Sequence, residues 1–231
     1  MSVTSLNRRE WLGLPFGAGA ALALGARDLL AQPSVLMRTI PATGERLPVI
    51  GLGSSATFSQ VARSEDVTAL RDVLKTLLDN GGTLFDTAPG YGASEEVAGR
   101  IVREQRWGDR VFWATKLNVA RGGAADPAAA RQQVEASFQR VGKAKIDLIQ
   151  VHNLGDPKVQ LPILREYKQQ GRIKYVGITT TFDNQYDELV RIIQTEALDF
   201  IGVDYAIDGR EVEDRILPMA RDKGLAVLAY A

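Results

Sequence analysis

The feature that most restricts what this chain can fold into is an alternation: from about residue 49 onward, short runs rich in Val, Ile, Leu and Phe are separated by longer stretches with helical periodicity. That order is what βα units around a parallel sheet require, because each parallel strand needs a long crossover and the crossover helix covers a sheet face. Seven strands are predicted, at Val49–Gly53, Thr83–Thr87, Val111–Lys116, Ile146–His152, Tyr175–Thr179, Phe200–Tyr205 and Ala226–Tyr230. Helices are expected between them over Ser64–Asn80, Ser94–Gln105, Asp126–Val141, Val159–Gln170, Thr181–Thr195 and Arg210–Lys223. Ser64 ahead of Glu65 and Asp66 reads as a helix start, and Gly81, Gly171 and Gly224 stand where a left-handed C-cap belongs. The nearly unbroken apolar runs Ile146–Val151 and Ala226–Leu228 predict strands buried on both faces.

A parallel barrel closes with eight strands, and the chain stops at Ala231, just past the seventh. The expected fold class is therefore α/β, a (β/α)8 TIM barrel truncated after about strand seven, with an open edge beside its interior. At 231 residues and 45% hydrophobic content the chain is large enough for one such core. Gly51-Leu52-Gly53 is too short for a dinucleotide fingerprint and reads as a tight strand exit.

The N-terminal segment differs in kind. Asn7-Arg8-Arg9-Glu10-Trp11-Leu12 resembles a twin-arginine export motif, Leu12 to Ala26 is uncharged and apolar, and Leu29-Leu30-Ala31 offers a peptidase site. The apolar stretch is too short to span a bilayer comfortably, so no stable membrane insertion is expected after processing. On this reading residues 1–31 are a signal peptide that engages the twin-arginine export machinery, residues 32–231 are the barrel domain, and the mature protein is periplasmic. The alternative is an ordinary amphipathic N-terminal helix on a cytoplasmic protein. Lys and Arg total 28 against 28 Asp and Glu, so no long-range field favours nucleic acid. The absence of cysteine excludes thiol catalysis, and a single histidine makes a transition-metal set improbable, so no metal is expected.

Four titratable residues fall where barrel enzymes keep their active sites. Asp86, Lys116 and His152 end the second, third and fourth predicted strands, and Tyr91 lies in the loop after Asp86. Each has a plainer explanation alone: a strand-end Asp as a turn former, a solvated Lys, a structural His. Together they suit reduction of a carbonyl, where a developing alkoxide needs a proton. Tyr91 is the donor, Lys116 is expected to lower its pKa, Asp86 to keep the lysine charged, and His152 to orient the carbonyl, with Asn153 beside it.

The same residues carry a resemblance. Gly82-Thr83-Leu84-Phe85-Asp86-Thr87-Ala88-Pro89-Gly90-Tyr91-Gly92-Ala93-Ser94-Glu95 resembles the first signature of the aldo-keto reductases. Trp113-Ala114-Thr115-Lys116 and Asp147 to Asn153 resemble that family's lysine and histidine strands, and Gly171 to Ile178 its approach to strand five. The resemblance implies NADP(H)-dependent reduction of a small-molecule aldehyde or ketone by the tetrad Asp86, Tyr91, Lys116 and His152. It further implies cofactor contacts from Asp86, from Thr179 and Thr180 in place of the family's Ser-Asn, and from Tyr230 stacked on the nicotinamide. Gly202 stands where the family has a carboxamide-binding glutamine. The segment that binds the adenosine phosphates is expected beyond Ala231. Two rivals remain: a non-catalytic nicotinamide-binding sensor barrel, and a metal-dependent lyase or isomerase.

Overall fold

The computed structural model describes residues 35–64, 66–120 and 122–230. The expected leader, its arginine pair and the site after Ala31 lie outside them, as does Glu65. Seven parallel strands form one sheet in sequential order: β3 Gly51–Gly53, β4 Leu84–Asp86, β5 Phe112–Leu117, β6 Ile146–Val151, β7 Ile173–Thr180, β8 Phe200–Asp204 and β9 Ala226–Tyr230. Among the described residues, β3 and β9 are the edges, and both line one groove of about 460 Å3 with Leu47, Leu84 and Phe200. The sheet is thus curled into an open barrel, as the alternating pattern predicts.

An antiparallel hairpin, β1 Met37–Thr39 with β2 Arg46–Pro48, precedes the sheet and was not legible as strands. It turns at Gly44, whose φ of 76° favours glycine. The hairpin plugs the N-terminal end of the barrel. The Tyr175 hydroxyl donates to Glu45 Oε2 at 2.5 Å and meets Thr43, and Lys174 pairs with the same carboxylate at 2.7 Å. Val49 is drawn onto this hairpin through its N–H to Leu36 O (2.9 Å), so the first barrel strand begins at Gly51 rather than Val49.

The helices are α1 Thr57–Val61, α2 Thr68–Asp79, α3 Ser94–Glu104, α4 Pro127–Val141, α5 Pro157–Gln169, α6 Tyr186–Thr195 and α7 Ile216–Asp222. Asp126 caps α4 by accepting from Ala128 and Ala129 N–H, and Pro127 at its first position loses no bond the helix would use. The predicted first helix divides into α1 and α2. Asp66, not Ser64, satisfies the start of α2 by accepting from Thr68 N–H at 2.8 Å. The predicted last helix also breaks, into a single turn at Glu211–Glu213 and α7, whose first turn holds Pro218, where its missing N–H costs no helical bond. Gly81, Gly171 and Gly224 do adopt positive φ.

The two-residue period of the strands divides their side chains between two cores. Phe85, Trp113, Ile149, Val151, Val176, Ile178 and Ile201 point outward and are buried under the helices. Leu84, Phe112, Ala114, Leu148, Tyr175 and Phe200 point inward and fill the N-terminal half of the barrel, with Tyr175 and Phe200 rings 5.3 Å apart. Fully burying each of the Leu and Phe side chains among them contributes about 1.5–3 kcal/mol. The expectation of two-sided burial holds for β6 but not for β9, an edge strand whose Val227 is 37% exposed.

Candidate active site

Continuing the inward series past the aromatic layer brings Asp86, Lys116, Gln150, Thr179, Gly202 and Tyr230 to the C-terminal mouth. The register makes them neighbours: Lys116 lies opposite Gln150, Thr179 opposite Gly202, and Asp204 opposite Tyr230. Chemistry thus follows from the strand period, since apolar residues of the same series support each polar one from below.

Lys116 Nζ donates to Asp86 Oδ1 at 2.5 Å and to Thr87 O at 2.9 Å, and both side chains are almost wholly buried. The ammonium lies 5.1 Å from the centre of the Tyr91 ring and 5.4 Å from that of Tyr230. The Tyr230 hydroxyl donates to Asp86 Oδ2 at 3.2 Å and accepts from Gln150 Nε2 at 3.0 Å. Tyr91 and His152 meet edge to face, ring centres 5.9 Å apart at 83°. Asp86, Tyr91, Lys116, His152, Asn153, Thr179 and Tyr230 all line one cavity of about 730 Å3. A second cavity of about 620 Å3 also reaches Lys116 and His152, between Pro89, Asn118 and Gln132.

Burial raises the Asp86 carboxyl and lowers the Lys116 ammonium, and their contact opposes both shifts. Neither charge is well tolerated there without the other. Burial, and then the charge on Lys116, pushes His152 down to about 4, so the imidazole is neutral near pH 7 and keeps one N–H to donate. Tyr91 departs from expectation. Burial, reinforced by the Asp86 charge, pushes its phenol up to about 12 instead of Lys116 lowering it. The physical reason is that a buried phenol pays to ionise in a dry site, and the nearby Asp86 anion adds to that penalty.

Thr180 is not part of this cavity. Its hydroxyl is turned away, donating to Gln185 Oε1 at 2.5 Å and accepting from Phe182 N–H at 3.1 Å, where it fastens the turn before α6. Strand alternation places Thr179 and Thr180 on opposite faces, so only one of the pair reaches the mouth. The Tyr230 ring occupies the space above Gly202: a Cβ there would lie 2.5 Å from Tyr230 Cε2 and 2.9 Å from Thr179 Cγ2.

Ser55, Thr181 and Asp204 also line the main cavity and were not singled out in the sequence. Their strand-end positions were the available signal. Glu95 was quoted only as part of a motif, yet it is buried, accepts from Thr115 Oγ1 at 2.7 Å and pairs with Arg140 at 3.0 Å. It thereby fastens the start of α3, and with it the Tyr91 loop, to the strand that carries Lys116.

Among known proteins, the model of the aldo/keto reductase family matches residues 49–231. The aldo-keto reductase YhdN of Bacillus subtilis is 32% identical over 203 residues, covering 83% of this chain and 60% of that protein. The NADH-specific methylglyoxal reductase of Escherichia coli is 30% identical over 223 residues, covering 84% of this chain and 67% of that protein. The chain thus spans about 60% of the length of the first of these relatives. Of solved structures, the glycerol dehydrogenase of Gluconobacter oxydans superposes with a TM-score of 0.69 at 28% identity, over 84% of this chain and 62% of that one. An aldo/keto reductase from Klebsiella pneumoniae in complex with NADP and acetate gives 0.67 at 26%, over 84% and 68%.

Proposed function

The chain belongs to the aldo/keto reductase family, and on that premise we propose that it is a nicotinamide-dependent oxidoreductase that reduces an aldehyde or ketone, with Tyr91 as proton donor. The observation that carries this reading is the convergence of Asp86, Tyr91, Lys116 and His152 on one 730 Å3 cavity at the C-terminal mouth of the barrel. A bound reduced nicotinamide supplies the hydride. Thr179 and Tyr230 are the residues of this chain that would hold it, a hydroxyl and an aromatic face on one wall of the cavity. NADP(H) is the cofactor the sequence resemblance favours; a relative named NADH-specific and a related structure holding NADP make the choice of dinucleotide a matter for experiment.

The residues divide the remaining work. His152, neutral and half-buried, donates its N–H to the substrate carbonyl and sets its direction. The Tyr91 hydroxyl passes its proton to the carbonyl oxygen as negative charge develops there. A phenol near 12 stays protonated at ordinary pH, yet is still far more acidic than the alcohol being formed, so the transfer runs downhill. Lys116 lies beside the ring that gains the charge, and Asp86 fixes the ammonium there through the 2.5 Å contact. We further infer, from Asn7-Arg8-Arg9-Glu10-Trp11-Leu12, that residues 1–31 send the protein through the twin-arginine machinery to the periplasm.

The test is oxidation of NADPH and of NADH, with a panel of small aldehydes and ketones, by the chain extended through an eighth strand and the phosphate-binding segment expected after it, beside the same protein with Tyr91→Phe. The wild-type protein should turn over, and Tyr91→Phe should lose about 10²–10⁴-fold in kcat while still binding the cofactor. Cofactor binding with no turnover would instead favour the sensor reading, and absence of binding would remove both.

A further inference from the structure

The turn that follows β6 is held in a conformation its residues do not favour. Asn153, Leu154 and Asp156 have φ of 52°, 50° and 43°, three non-glycine residues in the left-handed region within five positions of His152. Side chains with a Cβ rarely adopt that region, and such a run persists only where neighbouring groups over-determine it. This turn sets where the His152 ring and the Asn153 side chain enter the cavity, so what restrains it bears on the site.

The restraint comes from the loop after β5. Asn118 Nδ2 donates to His152 O at 2.8 Å, while Asn118 Oδ1 accepts from Ala120 N–H at 3.0 Å and Asn118 N–H donates to Gln133 Oε1 at 2.9 Å. The fully buried Gln160 stitches the same two loops, accepting from Val119 N–H at 3.2 Å and donating to Gly155 O. Asp156 closes the seam by accepting from Ala125 N–H at 2.9 Å. A separate observation points to the same carboxamide. Gly155 has φ of −66°, which any residue adopts, yet a Cβ on it would lie 2.4 Å from Asn118 Oδ1 and 2.5 Å from Asn118 Cγ. The glycine is there for space, and Asn118 is what fills the space.

We propose that Asn118 is a positioning residue for His152: its carboxamide, packed on Gly155 and backed by Gln160, clamps the His152 carbonyl and holds the strained turn so that the imidazole faces Tyr91 and the cavity. The proposal rests on the reading of His152 as the group that orients the carbonyl, but the placement of the ring is measurable without turnover. His152 is the only histidine in the chain, so its imidazole gives a single set of NMR resonances. They carry the ring current of Tyr91, because the rings meet edge to face.

Asn118→Asp keeps the shape and the acceptor for Ala120 but replaces the N–H donor with a carboxylate facing a carbonyl oxygen. Gly155→Ala attacks the same contact from the other side, leaving Asn118 chemically intact. In both variants the imidazole resonances should move toward their free-histidine positions at pH 7, with far-UV circular dichroism unchanged. Where the wild type turns over, kcat/KM should fall by on the order of 10²-fold, as for a catalytic group displaced by about 1 Å. Imidazole resonances that stay in place in two folded variants would overturn the proposal, whether or not the protein reduces carbonyls. Moved resonances in a protein without turnover would uphold the clamp and count against the reductase reading alone.

Discussion

Replacing Lys116 by methionine removes a cation from a place where its partner cannot reach water. Asp86 is 6% exposed; after the change Oδ1 loses its 2.5 Å donor and Oδ2 keeps only the Tyr230 hydroxyl at 3.2 Å. Methionine nearly conserves the volume, so the cavity contribution is small. What remains is an uncompensated buried charge, about 3–5 kcal/mol at neutral pH, plus about 1 kcal/mol for the lost bond to Thr87 O. Burial already raises the Asp86 carboxyl, and without Lys116 nothing charged opposes that rise. A carboxyl whose folded pKa exceeds its unfolded value stabilises the fold below the unfolded value, and that stability is lost as pH rises through the folded one. Urea unfolding followed by circular dichroism should therefore show the Lys116→Met deficit growing as pH rises above the ordinary 3.8 of the carboxyl. The double variant Asp86→Asn/Lys116→Met, which leaves no charge, should recover about 2 kcal/mol or more relative to the sum of the single changes. Single variants that cost under about 1 kcal/mol, or that add without coupling, would refute the argument that each charge needs the other.

Acid should act through His152. Its folded pKa of about 4 lies below the ordinary 6.5, so the unfolded chain binds the proton first; stability from this group is complete above pH 6.5 and is lost as pH falls toward 4. The loss is at most about 3 kcal/mol for a half-buried ring, and His152→Gln should flatten that part of a stability-against-pH curve. A slope identical in the variant would assign it to other groups. For the leader, Arg8→Lys with Arg9→Lys should keep the protein in the cytoplasmic fraction at its precursor mass, while the unchanged chain appears in the periplasm about 31 residues shorter. Identical fractionation of the two would sink the export reading.

Several parts of the fold were legible because they depend on local pattern. The alternation of apolar runs and helical stretches fixes seven parallel strands in sequential order, and the helix expected over Asp126–Val141 forms with Asp126 as its cap. Boundaries moved where a neighbour intervened: β3 lost Val49 to the hairpin, and the last helix broke ahead of Pro218. The hairpin itself was invisible as a pair of strands, since three-residue strands carry almost no periodicity and its tie to Tyr175 spans 132 positions.

For the site, the sequence alone determined which residue types end adjacent strands, and so put Asp86, Lys116 and His152 at one mouth with Tyr91 above them. Only the tertiary structure decided their electrostatics and their supports. Strand alternation turned Thr180 away while keeping Thr179, burial and the Asp86 charge raised Tyr91, and Asn118 met the His152 carbonyl across 34 positions of chain. Pattern along a chain reports which face a residue takes, because that depends on its nearest neighbours. Burial, charge and hydrogen bonding are set by groups distant in sequence and near in space, and no local pattern encodes them.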